Sequence, residues 1–265
     1  MRRAKRIVHA ARRPQLLAIL AALVLLALSL RVTPVPRPPK IQSQAPAIAL
    51  PVAVTGVHPA STGKPGVDCA KMQCLVLSFD DGPNPITTPQ ILTILEQNQV
   101  RADFFVVGLR AATMPEIVHR AYIDGDEIGN HSWSHPDLTT LTPEQVQAQV
   151  AQTQQAVIAA GVPAPHLFRP PYGAVNAMVK SQIHLTFAMW NVDPQDWNTR
   201  DANQVAQKVI AQAKPGGVID MHDIDPVTVA ALPAIIQNFK ARFQLVTMSE
   251  MFNLAAGQRG EFFGR

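Results

Sequence analysis

Leu75-Val76-Leu77-Ser78-Phe79 is a short, nearly all-apolar run, and Asp80-Asp81-Gly82-Pro83 follows it without a break. A run of that length closed by turn residues reads as a strand buried on both faces, the signature of a parallel sheet. Outward from it the pattern returns at Ala102 to Val107, Glu127 to Asn130, Leu167 to Arg169, Thr186 to Trp190, Gly217 to Met221 and Gln244 to Thr247. Seven strands alternating with helical sequence predict an α/β fold with a mostly parallel sheet. Thr88-Pro89 and Thr142-Pro143-Glu144 each place a capping hydroxyl before a proline at the first helical position. The helix from Thr142 to Ala160 should stop at Gly161 and Pro163, and another, Pro226 to Ala241, carries Leu232, Ile235, Ile236 and Phe239 on one face.

The ionisable residues gather where these strands end. Asp80-Asp81 follows the first, His131 and His135 the third, Arg169 closes the fourth, Asp193 and Asp196 follow the fifth, and His222-Asp223 the sixth. In a β/α barrel that edge is where catalytic groups from distant parts of the chain converge.

Each motif alone is weak. His131 and His135 could share a helix face or be two unrelated surface histidines. Joined by an aspartate, two neutral imidazoles and a carboxylate suit Zn²⁺ with a position left open for water and substrate. Adjacent carboxylates on a strand point to opposite faces, so Asp80 and Asp81 could be one solvated and one capping residue; on a turn both can face one pocket. One would then bind the metal and its neighbour deprotonate the activated water.

Ser78-Phe79-Asp80-Asp81-Gly82-Pro83, His131-Ser132-Trp133-Ser134-His135, Arg169-Pro170-Pro171-Tyr172-Gly173, Asp193-Pro194-Gln195-Asp196-Trp197 and Met221-His222-Asp223 resemble, in order, the five motifs of the polysaccharide deacetylases with a NodB homology domain, carbohydrate esterase family 4. The resemblance covers about Leu75 to Leu254 and implies a distorted (β/α) barrel with about seven parallel strands. It further implies that Asp81, His131 and His135 bind a divalent metal, usually zinc, with Co²⁺ or a similar ion able to substitute. Asp80 would be the general base and His222 the general acid. Arg169 would orient Asp80, and Asp196 would pair with His222 and raise its pKa. The backbone N–H of Tyr172, after Pro171, would stabilise the oxyanion, and Trp197 would wall the acetyl pocket. The reaction implied is removal of acetyl groups from N-acetylated amino sugars of a polysaccharide or oligosaccharide.

One residue departs from the family pattern. Two positions before His222, where an apolar Leu commonly lines the acetate pocket, this chain has Asp220. Either its carboxylate repels departing acetate or contacts the water on the metal, or the strand shifts and Asp220 bonds to a neighbouring loop. Asp103 stands where relatives often carry Thr. An acetyl-ester hydrolase of the xylan type and a catalytically silent sugar-binding relative with a pocket spoiled by Asp220 are the alternative readings. Holding base, acid, three ligands and two orienting residues together favours the enzyme. His9, His58, His119, His166 and His184 fall outside the motifs and are read as non-ligands.

The 265 residues suffice for one sizeable core. The formal charge of +4 is uneven: nine Lys/Arg and no Asp/Glu lie in residues 1–40, leaving 14 basic against 19 acidic residues after them. Nucleic acid is therefore excluded as a partner, because the basic charge lies in the leader and not in the folded part. Arg2 to Arg13 precede the apolar run Leu16 to Leu30, which as a helix spans only ~22 Å at ~1.5 Å per residue. We read residues 1–31 as a basic N-terminus with an uncleaved signal anchor, the alternative being a cleaved signal peptide. Residues 32–68 are a Pro-rich spacer and 69–265 the catalytic domain, held in the cell envelope facing outwards, or secreted if the leader is cut. In that oxidising setting Cys69 and Cys74 read as a local disulfide, the alternative being free thiols. Peptidoglycan, chitin oligosaccharides and an exopolysaccharide all fit. Trp133, Trp190 and Trp197 are the only tryptophans and Tyr122 and Tyr172 the only tyrosines, which points to a short sugar-binding groove.

Overall fold

The computed structural model describes residues 67–254 and 260–264. Strand β1 (Cys74–Asp80) is buried along its whole length, and its two faces enter different cores. Leu75, Leu77 and Phe79 pack outward against Ile91, Leu95, Leu232 and Ile235. Cys74 and Val76 face inward with Phe105, Leu167, Val218 and Met248. Period-two alternation thus separates an outer, helix-covered core from a barrel interior.

The other strands are β2 (Asp103–Val106), β3 (Glu127–Asn130), β4 (Leu167–Phe168), β5 (Thr186–Ala188), β6 (Gly217–His222), β7 (Gln244–Leu245) and β8 (Glu261–Phe262). They form one sheet in the order β6-β1-β2-β3-β4-β5-β8, every pair parallel. β6 runs along one edge of β1 from Leu75↔Gly217 to Asp80↔His222. β7 takes the other edge at Cys74 and Leu75, and β2 takes it from Ser78 to Asp80. After β5 the chain reaches β6: Val192 N–H donates to Val218 O at 3.1 Å and Asp220 N–H to Val192 O at 2.9 Å. The sheet curls into the expected distorted barrel.

The helices are α1 (Thr87–Asn98), α2 (Gly108–Thr113), α3 (Pro115–Ile123), α4 (Pro143–Ala159), α5 (Ala177–Gln182), α6 (Ala202–Gln212), α7 (Pro226–Lys240) and α8 (Met248–Phe252). Thr142 makes the capping box that its sequence predicts: its Oγ1 accepts from Gln145 N–H at 3.3 Å and Gln145 Oε1 accepts from Thr142 N–H at 2.9 Å. Thr88 does not cap. α1 begins at Thr87, the Asn84 side chain accepts from the N–H groups of Ile86 and Thr87, and the Thr88 hydroxyl instead donates to Asp223 at 2.5 Å. A tertiary partner outcompetes the local cap.

The strands also differ from expectation in length and number. β4, β5 and β7 are shorter than their apolar runs; Trp190 lies beyond β5, and Thr247 caps α8. β8 is an unexpected eighth strand, two residues pairing Phe187↔Glu261 and Ala188↔Phe262. Nothing local marks it; Phe262 packs its ring 5.1 Å from Phe252. Cys69 and Cys74 form a disulfide with their Cα atoms 5.5 Å apart, and closing so short a loop contributes about 2 kcal/mol by chain entropy. The basic leader and nearly all of the Pro-rich spacer lie outside the described residues. Among the described residues no helix is long and apolar enough to cross a membrane.

Candidate active site

The barrel interior turns from apolar to polar along the strands. Val76, Ser78 and Asp80 of β1 stand in register with Val218, Asp220 and His222 of β6. The first pair belongs to the apolar floor, the second is a buried polar layer, and the third lies at the carboxyl edge. Gly129 of β3 leaves room for the Phe105 ring, which a Cβ there would strike. That ring lies 4.0 Å from the Arg169 guanidinium carbon, within cation–π range.

Arg169, directly after β4, is fully buried. Its Nε donates to Ala188 O at 2.8 Å, and its Nη1 reaches Asp80 Oδ1 at 2.7 Å, Ser78 Oγ at 2.9 Å and Asp220 Oδ1 at 3.0 Å. The guanidinium compensates carboxyl groups that would otherwise be costly to bury. β6 keeps its register through Asp220, so the expected strand shift does not occur. Asp220 bonds to Arg169, the first residue beyond β4.

Asp80 ends β1 and Asp81 begins the turn with φ of 75°, a left-handed conformation uncommon for a residue with a side chain. That turn breaks the strand alternation and brings both carboxylates to one side. His131 Nε2 lies 3.5 Å from Asp80 Oδ2 and 3.6 Å from Asp81 Oδ1, and His135 Nε2 lies 3.2 Å from Asp81 Oδ1. His131 Nδ1 sits 2.8 Å from Arg169 O. A carbonyl can only accept, so Nδ1 carries the hydrogen and Nε2 presents its lone pair.

The two histidines share a loop, not a helix. Asn130 Oδ1 accepts from Ser132 N–H at 2.9 Å, Ser132 Oγ accepts from His135 N–H at 3.1 Å, and Gln149 Oε1 accepts from Trp133 and Ser134 N–H at 2.9 Å. Ser132 and His135 have positive φ, and the Tyr172 ring meets the His135 ring edge-on at 4.6 Å. Donor atoms of Asp81, His131 and His135 lie within 4.8 Å of one another. Burial and the repulsion of His131 lower the His135 pKa, which favours the neutral imidazole, the form able to bind a metal. Two imidazoles and one carboxylate around an open side fit a divalent transition metal.

His222 stands in register with Asp80 on the neighbouring strand, and its partner Asp196 is fully buried. Its Oδ1 accepts from His222 Nδ1 at 2.8 Å and from Trp197 N–H at 3.1 Å; its Oδ2 accepts from His222 N–H at 2.7 Å and from the Thr228 hydroxyl at 2.5 Å. Burial lowers the His222 pKa, but the hydrogen bond and charge of Asp196, helped by Asp220 and Asp80, outweigh it and push the value up to about 10. For Asp196 burial acts upward, and its hydrogen bonds from His222 and Thr228 bring the net shift down. A raised histidine pKa means that protonation favours the fold. The stabilisation is complete below the unfolded value of about 6.5 and is lost as pH rises towards 10. In the metal-free protein an NMR titration should place the His222 midpoint near 10, and Asp196→Asn should lower it by several units; an unmoved midpoint would show that Asp196 does not set it.

The remaining predicted residues frame the site. Pro171 is buried, and Tyr172 stands at φ of 60° with its side chain exposed. Trp197 is 60% exposed, its indole open to solvent at the rim. Asp223 is buried beside Gly82, where any Cβ would overlap its carboxyl, and burial raises its pKa to about 7. Asp103 accepts from Met248 N–H at the start of α8, 3.2 Å from each carboxyl oxygen.

Sequence reasoning missed Ser78, Phe105, Gln149 and Thr228. Ser78 had a signal, since it lies two residues before Asp80 on the same strand face. Phe105, Gln149 and Thr228 act across sequence separations that no local pattern encodes.

Curled parallel barrel and strand-end residues together make this a NodB-type α/β fold. The chain belongs to the polysaccharide deacetylase family, carbohydrate esterase family 4: the polysaccharide deacetylase family model matches residues 68–188. It is 39% identical over 196 residues to the peptidoglycan-N-acetylglucosamine deacetylase PgdA of Listeria monocytogenes, covering 73% of this chain and 42% of that protein. It is 32% identical over 199 residues to the chitooligosaccharide deacetylase of Sinorhizobium fredii, covering 74% of this chain and 86% of that one. The solved structure of the peptidoglycan deacetylase PdaC of Bacillus subtilis superposes with a TM-score of 0.68 at 40% identity, covering 71% of this chain and 93% of the other. The chain spans about two fifths of the length of the peptidoglycan deacetylase PgdA that it matches.

Proposed function

We propose that this protein removes acetyl groups from N-acetylated amino sugars of a cell-envelope glycan, with peptidoglycan the favoured substrate and chitin-type oligosaccharides the alternative. The observation that carries the reading is the Asp81-His131-His135 set beside Asp80, which is tied to Arg169 at 2.7 Å and stands in register with His222, itself tied to Asp196 at 2.8 Å. Those three residues would hold a divalent ion, zinc by the donor set, whose charge would polarise the acetamide carbonyl and acidify a water. Asp80 takes a proton from the attacking water, and Arg169 keeps its carboxylate turned to the task. His222, protonated through Asp196, gives its proton to the departing sugar nitrogen as the C–N bond breaks, so one water yields acetate and a free amine. The Tyr172 N–H stabilises the developing oxyanion and Trp197 walls the acetyl group.

The basic leader and Pro-rich spacer complete the proposal as a membrane tether placing residues from 69 onward outside the cytoplasm. The relatives named for peptidoglycan support that location. The test is acetate release by the full chain from purified peptidoglycan, N-acetylglucosamine oligomers and O-acetylated xylan, with added Zn²⁺ and after chelation. Expected is release from the N-acetylated glycans that chelation abolishes and Zn²⁺ restores. Release that survives complete metal removal, or from xylan alone, would overturn the reading.

A further inference from the structure

The layer beneath Asp80 holds a carboxyl that no step of this reaction uses. Asp220 is 4% exposed and its Oδ1 shares Arg169 Nη1 with Asp80 Oδ1 and Ser78 Oγ, at 3.0, 2.7 and 2.9 Å. Ser78 spends its own hydroxyl hydrogen on Ile219 O at 2.6 Å, so towards Arg169 it is an acceptor. A guanidinium nitrogen of this kind has two hydrogens, and three acceptors therefore compete for them. Nη2, meanwhile, is buried without a hydrogen-bond partner among the described residues. The side chain has been drawn towards one corner.

The charges around Asp220 do not balance if every group is ionised. Asp80 on β1, Arg169 after β4, Asp196 under α7 and His222 two residues along β6 act on it, and Asp103 stands one strand farther off, level with Ser78 on β2. His222 is matched by Asp196 and Arg169 by Asp80, its shorter contact. Asp103 and Asp220 are left over: Asp103 accepts from the Met248 N–H, and Asp220 has only the cation that Asp80 already holds. We propose that Asp220 is a positioning residue for Asp80: as a neutral carboxylic acid it accepts from Arg169 Nη1 and holds the guanidinium against Asp80 without competing for its charge. Burial and the repulsion of Asp80 both raise the proton affinity of Asp220, and Arg169 and His222 oppose them without reversing the outcome. An ionised Asp220 would draw Arg169 away from Asp80; an apolar residue would release it.

The inference rests on the deacetylase reading, and its test separates the two. Asp220→Asn keeps a carbonyl oxygen for Nη1 and carries no charge, whereas Asp220→Leu removes the acceptor. Asparagine is expected to keep kcat within about threefold of wild type with an unshifted pH profile. Leucine is expected to lose about tenfold in kcat at unchanged KM, because Asp80 is no longer held in its working orientation. Thermal unfolding and zinc stoichiometry identify a variant that has failed to fold. Infrared spectra with isotope-labelled aspartate supply a readout without turnover: the wild-type minus Asp220→Asn difference at neutral pH should contain a protonated-carboxyl band. Absence of that band, an asparagine variant as slow as leucine, a profile moved by a pH unit or more in Asp220→Asn, or a leucine variant as fast as wild type would each overturn the proposal. A wild-type chain that releases no acetate overturns the deacetylase reading instead, and the band still decides the state of Asp220.

Discussion

Asp80→Asn is expected to lower kcat for acetate release by about 10²–10⁴-fold, the usual contribution of a positioned general base, while zinc still binds stoichiometrically. The substitution is nearly isosteric. Its carbonyl oxygen can still accept from Arg169 Nη1, which reaches Asp80 Oδ1 at 2.7 Å in the native site, so the guanidinium stays where it is. What disappears is the basic oxygen facing His131. The two carboxylates stand almost equally far from His131 Nε2, at 3.5 and 3.6 Å. The assignment of ligand and base rests on other contacts: Asp81 also meets His135 at 3.2 Å, and Asp80 is bound to the buried cation. Metal stoichiometry measured beside kcat separates the roles. Loss of the metal in Asp80→Asn would make Asp80 a ligand, and a loss of activity below tenfold would place the base elsewhere.

Arg169→Met is expected to destabilise the fold by about 3–5 kcal/mol, the cost of breaking a buried ion pair from one side. For a domain of this size that is a fall in Tm of about 6–20 °C. Methionine fills much of the volume beside Phe105 and supplies none of the donors. Asp80 and Ser78 lose their contact with the cation, Asp220 loses the bond that turns it inward, and Ala188 O loses the Nε–H at 2.8 Å. Arg169→Lys should fall between wild type and methionine, since a single ammonium keeps the charge but lacks the planar fork. Urea unfolding of the three proteins checks this. A methionine variant within about 1 kcal/mol of wild type would mean that the carboxyl groups beside Arg169 are neutral without it, and that the cation does not hold the interior together.

The particular elements show what was legible locally. The apolar run from Leu75 and the paired aspartates after it locate a buried strand and its chemical end, because strand burial and side-chain alternation are read within a few residues. The Thr142 cap was legible for the same reason, its partner Gln145 being three residues away. Thr88 departs from the cap its sequence predicts because its hydroxyl donates to Asp223, 135 residues on. β8 escaped because two residues are too few for a pattern to form.

The candidate site divides along the same line. Residue types and their order at the strand ends were present in the sequence, and with them the family resemblance. Three things waited for the tertiary structure: the turn at Asp81 that sets both carboxylates on one side, the contact of Arg169 with Ser78, Asp80 and Asp220 across 91, 89 and 51 residues, and the inward pairing of Asp220. Each depends on how far the sheet curls and in which register β1 meets β6. Curvature and register are properties of all the strands together, and one strand's sequence carries only its own alternation.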